Sequence, residues 1–241
     1  MKIYNFSSGS KGNTTLVKCD NVNILIDVGN TRKYIKQCLD DLDISLSDIN
    51  MILISHFHND HFKDAKYLND FNIYSNRKDD LSLKINEDNI IDGVIIKPFK
   101  LSHDEECFGF QIKYHNQVYT HISDTGYLKE EYYPYVEEAD YLYLEFNHDP
   151  VMLEKTDRPL EVKRRILSSK GHLSNQDAAL ILSKANSKLK EVMIAHISEE
   201  ANDKKHIEKE IKEVFKVLDK KIDFDIKYTG YMKVCECGHE D

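Results

Sequence analysis

The sequence predicts a layered α/β sandwich, two β-sheets with helices on their outer faces. Two observations carry this. Short runs rich in β-branched and aromatic residues, bounded by turn formers, dominate the first half of the chain. Segments with apolar residues at helical spacing lie between and after them. A third observation places a candidate site on the frame: three of the strand-like runs end in His or Asp.

In chain order the strand-like runs cover 2–6, 15–18, 22–27, 51–55, 72–74, 94–98, 108–114, 117–123, 141–145, 191–195 and 224–228. Helical patterns cover 31–42, 61–69, 160–168, 174–185 and 203–218. The last carries Ile207, Ile211, Val214, Phe215 and Leu218 on one stripe. Ser174 suits an N-cap, with Gln176 and Asp177 in the first turn. No Gly/Pro-rich linker and no internal repeat divides the chain, so a single domain is expected over 1–233, followed by a tail at 234–241. That tail holds Cys235, Cys237 and His239. They could bind a soft metal, but three ligands at a terminus read better as a flexible segment.

With 41% apolar residues in 241, the chain can bury a sizeable core. No apolar run approaches the ~20 residues that span a bilayer. The first residues read as a strand rather than a secretory signal. Five scattered cysteines suit a reducing compartment. These features lead to an expected cytoplasmic protein with no membrane partner and no organic cofactor. The net charge of −9 argues against non-specific nucleic-acid binding, which relies on Lys and Arg. Bound divalent cations would weaken that argument by supplying local positive charge.

The chemistry concentrates at strand ends. Asp27 closes one apolar run, Asp124 another, and the run at 51–54 leads into Ser55-His56-Phe57-His58-Asn59-Asp60-His61. In an extended segment, residues i and i+2 point the same way, so His56 and His58 can share one metal. A turn after them would bring Asp60 and His61 to a second. Imidazole with carboxylate suits zinc, manganese or iron. Among the other histidines, His103 and His196 also sit at strand ends. His115 falls in a hairpin turn and reads as solvent-exposed, and mid-strand His121 reads as a core residue.

The order Asp27, His56-x-His58-x-Asp60-His61, His103, Asp124, His196 resembles the metallo-β-lactamase superfamily along nearly the whole chain. Its YycJ/WalJ-type branch is the most similar. The segments that carry this are SSGSKGN (7–13), SHD (102–104), DTGY (124–127), EFNHD (145–149), KRRILS (163–168), GHLSN (171–175) and AHIS (195–198). The resemblance implies a four-layer αββα sandwich with two divalent metal ions at one edge. His56, His58 and His103 would hold one ion, Asp60, His61 and His196 the other, and Asp124 would bridge them. Asp27 would support a ligand histidine from behind. The short His103–Asp124 interval resembles the phosphodiesterase branches, and His58 stands where redox relatives carry Glu.

The implied function is a dinuclear phosphodiesterase, a 5′-to-3′ DNA exonuclease-like nuclease with a metal-bridging hydroxide as nucleophile. His172 would protonate the leaving oxygen, with Glu145 orienting it and favouring its charged form. Blander alternatives stand beside these roles. His172 could merely begin a helix, and His148 could be a substrate contact or a loop residue. Lys163, Arg164 and Arg165 could clamp phosphate or form a solvated face. The 7–13 run, with Ser10 and Asn13, could be a tight turn or an anion-binding nest facing the metals. Two other functions stay open: hydrolysis of a small phosphodiester, ester, thioester or lactone, and a non-catalytic module.

Overall fold

The computed structural model describes residues 1–63, 68 and 71–239. The first sheet begins with Lys2–Ser7 (β1), Thr14–Cys19 (β2), Val22–Ile26 (β3), Ile49–Leu53 (β4) and Ile73–Tyr74 (β5). The second contains Asn89–Ile91 (β6), Val94–Leu101 (β7), Cys107–Tyr114 (β8), Gln117–Ile122 (β9), Tyr141–Glu145 (β10), Glu191–Ala195 (β11) and Asp225–Tyr228 (β12). Cys235–Gly238 (β13) returns to the first sheet. The strand orders are β13-β1-β2-β3-β4-β5 and β12-β11-β10-β9-β8-β7-β6. The pairs β3–β4–β5 and β9–β10–β11–β12 run parallel, and the rest antiparallel.

The period-2 alternation of strand side chains sets the layers. In β3, Ile24 and Ile26 point between the sheets, while Leu25 points outward. In β10, Tyr141 and Tyr143 point between the sheets, while Leu142 and Leu144 point outward. Both faces of these strands are therefore buried, and the outward faces need helices. Arg32–Asp40 (α1) supplies Ile35, Cys38 and Leu39 to the outer face of the first sheet. Tyr133–Glu137 (α2) contributes Val136 to the outer face of the second. Pro150–Lys155 (α3) and Leu160–Ile166 (α4) precede the segment that carries His172. Asn175–Leu182 (α5) and Lys204–Val217 (α6) cover most of the second sheet, through Ala178, Leu182, Ile207 and Ile211 among others. The result is the expected αββα order in one domain. Each fully buried Leu or Ile in these layers contributes roughly 1.5–3 kcal/mol.

The caps follow side-chain chemistry. Ser174 caps α5 by accepting from the Asp177 N–H at 3.2 Å, as its sequence position predicts. Asp203 caps α6 in the same way.

Several boundaries differ from the sequence reading. The tail is not a flexible appendage: β13 pairs antiparallel with β1, Ile3 opposite Cys237, and closes an otherwise open edge. Cys237 is buried against the inter-sheet core and Cys235 packs beside it. Residues two apart on a strand share a face, so both thiols are drawn into apolar packing. Among the described residues, neither joins a metal-ligating group. The helix expected at 61–69 lies largely outside the described residues. The short helices α2 and α3 and the two- and three-residue strands β5 and β6 fall near or below the length at which periodicity speaks, and α2, α3 and β6 went unread. His115 sits in the β8–β9 turn and His121 is buried, stacked on Tyr143 at 4.1 Å and bonded to the Tyr119 hydroxyl at 2.8 Å, both as expected. No helix among the described residues is long and apolar enough to cross a membrane.

Candidate metal centre

The candidate ligands converge on one edge of the sandwich because they all follow the C-terminal ends of strands: β3 (Asp27), β4 (the 55–61 loop), β7 (His103), β9 (Asp124) and β11 (His196). Asp27, Asp124 and His196 each adopt left-handed backbone, with φ of 58°, 57° and 50°. Such conformations cost on the order of 1–3 kcal/mol each and persist where the surroundings fix them. The ligand loop is fixed in turn by close packing. Asp60 lies against Gly29 so tightly that a Cβ there would fall 1.7 Å from the Asp60 carbonyl oxygen.

Two triads and a neighbouring acid result. Nε2 of His56 lies 3.1 Å from Nδ1 of His58, which lies 3.3 Å from Nε2 of His103. Tetrahedral ligands about 2.0–2.1 Å from an ion are roughly 3.3–3.4 Å apart, close to both of these separations. In the second group, Oδ2 of Asp60 is 3.6 Å from Nε2 of His61 and 3.6 Å from Nε2 of His196. Asp124 lies against the second group, Oδ2 at 3.0 Å from His61 and Oδ1 at 3.5 Å from His196, and is also gathered with His56 and His61. Nε2 of His196 is buried without a hydrogen-bond partner, an orphan that an ion would satisfy.

The outward-facing ring nitrogens are also accounted for. Nδ1 of His56 donates to Ser55 Oγ (3.0 Å), which donates to Asp27 Oδ2 (2.8 Å). Nδ1 of His61 meets Asp27 at 2.7 Å, Nδ1 of His196 meets Glu145 at 3.0 Å, and Nδ1 of His103 meets the Gly171 carbonyl at 3.3 Å. Nε2 of His58 faces Asp104 at 3.3 Å. These acceptors fix which nitrogen of each ring is left for an ion, the arrangement expected behind ligand histidines. Asp27 thus lies behind His61 directly and behind His56 through Ser55. Ser55 and Asp104 were not singled out from the sequence, although both lie in or beside its motifs.

The titration behaviour separates the triads. Burial, reinforced by repulsion from His61, holds His56 down to about 2, and burial also lowers His103. Burial opposes charge on His61 as well, but Asp124 and Asp27 outweigh it and lift the ring to about 10. His196 is raised for the same reason, by Asp124, Asp60 and Glu145 against its burial. Burial works against ionised Asp124, yet the neighbouring His196 and His61 hold it well below the carboxylate range.

His172 sits beside this cluster, its Nδ1 at 2.7 Å from Oε1 of Glu145. The same oxygen serves His196, so Glu145 orients a candidate ligand and a candidate proton donor together. Despite complete burial, Glu145 is held near about 2 by His172 and by its hydrogen bonds. His172 and His196 line a cavity of about 250 Å³ with Ser10, Lys11, Arg158 and Arg165. Its cations are each paired with an acid: Lys11 with Glu199 at 2.7 Å, Arg158 with Glu200 at 2.8 Å, and Arg165 with Asp104 at 3.1 Å.

Other candidates are placed differently. Asn13 does not line the cavity. It is buried, its Oδ1 accepts from the Gly9 N–H, and its Nδ2 faces the Asp60 carbonyl and His61. Within 7–13, the N–H groups of Ser8, Gly9, Gly12 and Asn13 are spent inside the protein, and Ser10 and Lys11 line the cavity. Of the basic run, only Arg165 reaches the cavity. Lys163 bonds the Glu154 and Thr156 carbonyls at the end of α3, and Arg164 is exposed. His148 is buried away from the cavity, and its carbonyl accepts from the Asn175 N–H in the segment that carries His172. Lys11 and Arg158 were not anticipated. Arg158 lies in no motif, and only folding brings it to the site.

Comparison with known proteins agrees with this architecture. A family model described as anti-Pycsar protein Apyc1 matches residues 5–92. Exodeoxyribonuclease YycJ of Bacillus anthracis is 28% identical over 81% of this chain and 82% of its own length. Exodeoxyribonuclease WalJ of Streptococcus pneumoniae is 28% identical over 81% of each. Among solved structures, the metallo-β-lactamase fold protein YhfI of Bacillus subtilis superposes with a TM-score of 0.72 at 16% identity, covering 98% of this chain and 99% of that one. Human tRNase Z, short form, gives 0.66 at 14%, covering 98% of each. A diphosphatase from the PhnP family gives 0.66 at 14%, covering 100% of this chain and 98% of that one.

Proposed function

We propose that this chain, a metal-dependent hydrolase with the metallo-β-lactamase fold, is a dinuclear phosphodiesterase that degrades nucleic acid, DNA in the first instance, as a 5′-to-3′ exonuclease. The observation that carries the reading is the Glu145–His172 pair beside the two triads, open to a cavity lined with cations. Exodeoxyribonuclease relatives support the choice of nucleic acid. His56, His58 and His103 would hold one ion, Asp60, His61 and His196 the second, with Asp124 shared; the donor set fits zinc or manganese, and iron less specifically. Two such ions supply an activated water at neutral pH and polarise a phosphoryl oxygen.

The protein's own groups do the rest. Glu145 accepts the Nδ1 proton of His172 and leaves Nε2 for the cavity. A protonated His172 can then give its Nε2 proton to the departing oxygen. Arg165, Arg158 and Lys11 receive phosphate oxygens, exchanging their carboxylate partners for substrate. Five free thiols favour a cytoplasmic location.

A second reading is supported by the net charge of −9 and by those pre-paired cations: a small phosphodiester would need less positive surface than a polymer. Purified protein with Mn²⁺ or Zn²⁺ and end-labelled duplex DNA separates the two. Release of nucleotides from 5′ ends supports the nuclease. No digestion with either metal, alongside turnover of a small phosphodiester, sinks it. In the same assay His172→Ala should lower kcat by roughly 10²–10⁴-fold with metal content unchanged.

A further inference from the structure

A second cavity adjoins the metal centre on the side away from Lys11 and Arg158. It measures about 360 Å³ and reaches in to His103. His103, which lines this cavity, and His172, which lines the other, have ring centroids 5.4 Å apart at the candidate reaction centre. The wall of the second cavity combines one aromatic ring, Tyr127, with three lysines, Lys100, Lys129 and Lys170, and three acids, Asp104, Glu105 and Glu106, near His103.

Tyr127 is 45% exposed and belongs to none of the apolar clusters among the described residues. Exposure of so large a ring is not explained by packing. Its backbone, by contrast, is held firmly. The Tyr127 carbonyl accepts from Thr125 Oγ1 at 2.7 Å, and that hydroxyl also accepts from the Ser102 N–H at 3.1 Å. The Gly126 N–H donates to the Ser102 carbonyl at 2.9 Å, and Ser102 Oγ donates to the Ser169 carbonyl at 2.7 Å. A Cβ on Gly126 would lie 2.4 Å from the Ser168 carbonyl oxygen, so three loops are knitted at this point without slack. A ring on a fixed backbone loses little freedom when something stacks on it. Lys100 and Lys129 hold Glu106 and Glu131 at 2.7 and 3.2 Å, and Lys170 is exposed.

Resting on the nuclease reading, we propose that this cavity receives the nucleotide flanking the scissile phosphate on the His103 side, its base stacked on Tyr127 and its next phosphate between Lys129 and Lys170. Every base offers a π-face, so the contact selects nucleic acid over simple phosphodiesters without selecting sequence. Cations line both cavities, Arg158 and Lys11 in one and Lys129 and Lys170 in the other, so a polyanion can exchange phosphates for their carboxylate partners on either side.

The test uses two single-stranded oligonucleotides with Mn²⁺, one intact and one with abasic sites at the residues that would occupy this cavity. The wild type should show a KM for the intact strand roughly tenfold or more below that for the abasic strand. Tyr127→Ala should bring the ratio close to one, and Tyr127→Phe should restore it. Lys170→Gln should raise KM for both strands and flatten the salt dependence. The proposal is overturned if Tyr127→Ala leaves the wild-type ratio in place, or if both Tyr127 variants lose the same activity on both strands. A wild type that cleaves neither strand while hydrolysing a small phosphodiester overturns the nuclease reading itself, and this subsite with it.

Discussion

The two ligand triads stand side by side on one edge of the sandwich, yet they are electrostatically unlike. His56, His58 and His103 form an all-imidazole group, and burial leaves His56 and His103 neutral at physiological pH. Asp60, His61 and His196 lie among Asp124, Asp27 and Glu145, which charge both rings in the metal-free protein. The first group is therefore poised to accept a cation. In the second, the neighbouring carboxylates favour the protonated rings, so a cation entering it competes with protons. The two sites are thus unequal, because carboxylates, Asp60 and Asp124 among the candidate ligands and Asp27 and Glu145 behind them, surround the second pair of rings.

Removing the shared acid breaks the comparison most severely. Asp124→Ala should leave at most one bound ion per chain by metal analysis and cut phosphodiesterase activity by at least ~10³-fold, on the order of losing a principal charge-stabilising group. Retention of two ions would show that Asp124 does not bridge.

A pH series sharpens the contrast. Metal affinity at the second triad should rise as pH increases toward about 10, by roughly tenfold per unit for each proton displaced. Affinity at the first should stay nearly flat above neutrality. Titration calorimetry at pH 6 and pH 8 in buffers of different ionisation enthalpy reads both the affinities and the protons released. Without metal the sign reverses for stability. A ring raised in the fold stabilises it below the unfolded value of about 6.5 and loses that contribution as pH rises through about 10. His56, lowered to about 2, costs stability as pH falls below about 6.5.

The smallest expected effect tests the support behind one triad only. Asp27→Asn should weaken the ion at His61 by roughly 10–100-fold and leave the all-imidazole ion in place. Equal loss at both would mean that Ser55, which links Asp27 to His56, couples the sites.

Much of this architecture is legible in the chain itself. Short continuous apolar runs, such as 24–26 and 141–144, suit strands with both faces buried, and the helical stripe of 203–218 specifies a helix that must cover one of them. The dense 55–61 motif specifies ligands, because local spacing alone sets which side chains share a face. Local spacing could not give what depends on distant segments meeting. The tail strand exists only because β1 offers an unpaired edge. Arg158 reaches the cavity, and Arg164 does not, through the way α3 and α4 are set against it. Glu145 serves His172 and His196 at once because β10 and β11 end in register. The candidate ligands are thus legible in the sequence, whereas their electrostatic surroundings and the walls of both cavities arise only when separate strand ends converge and exclude water.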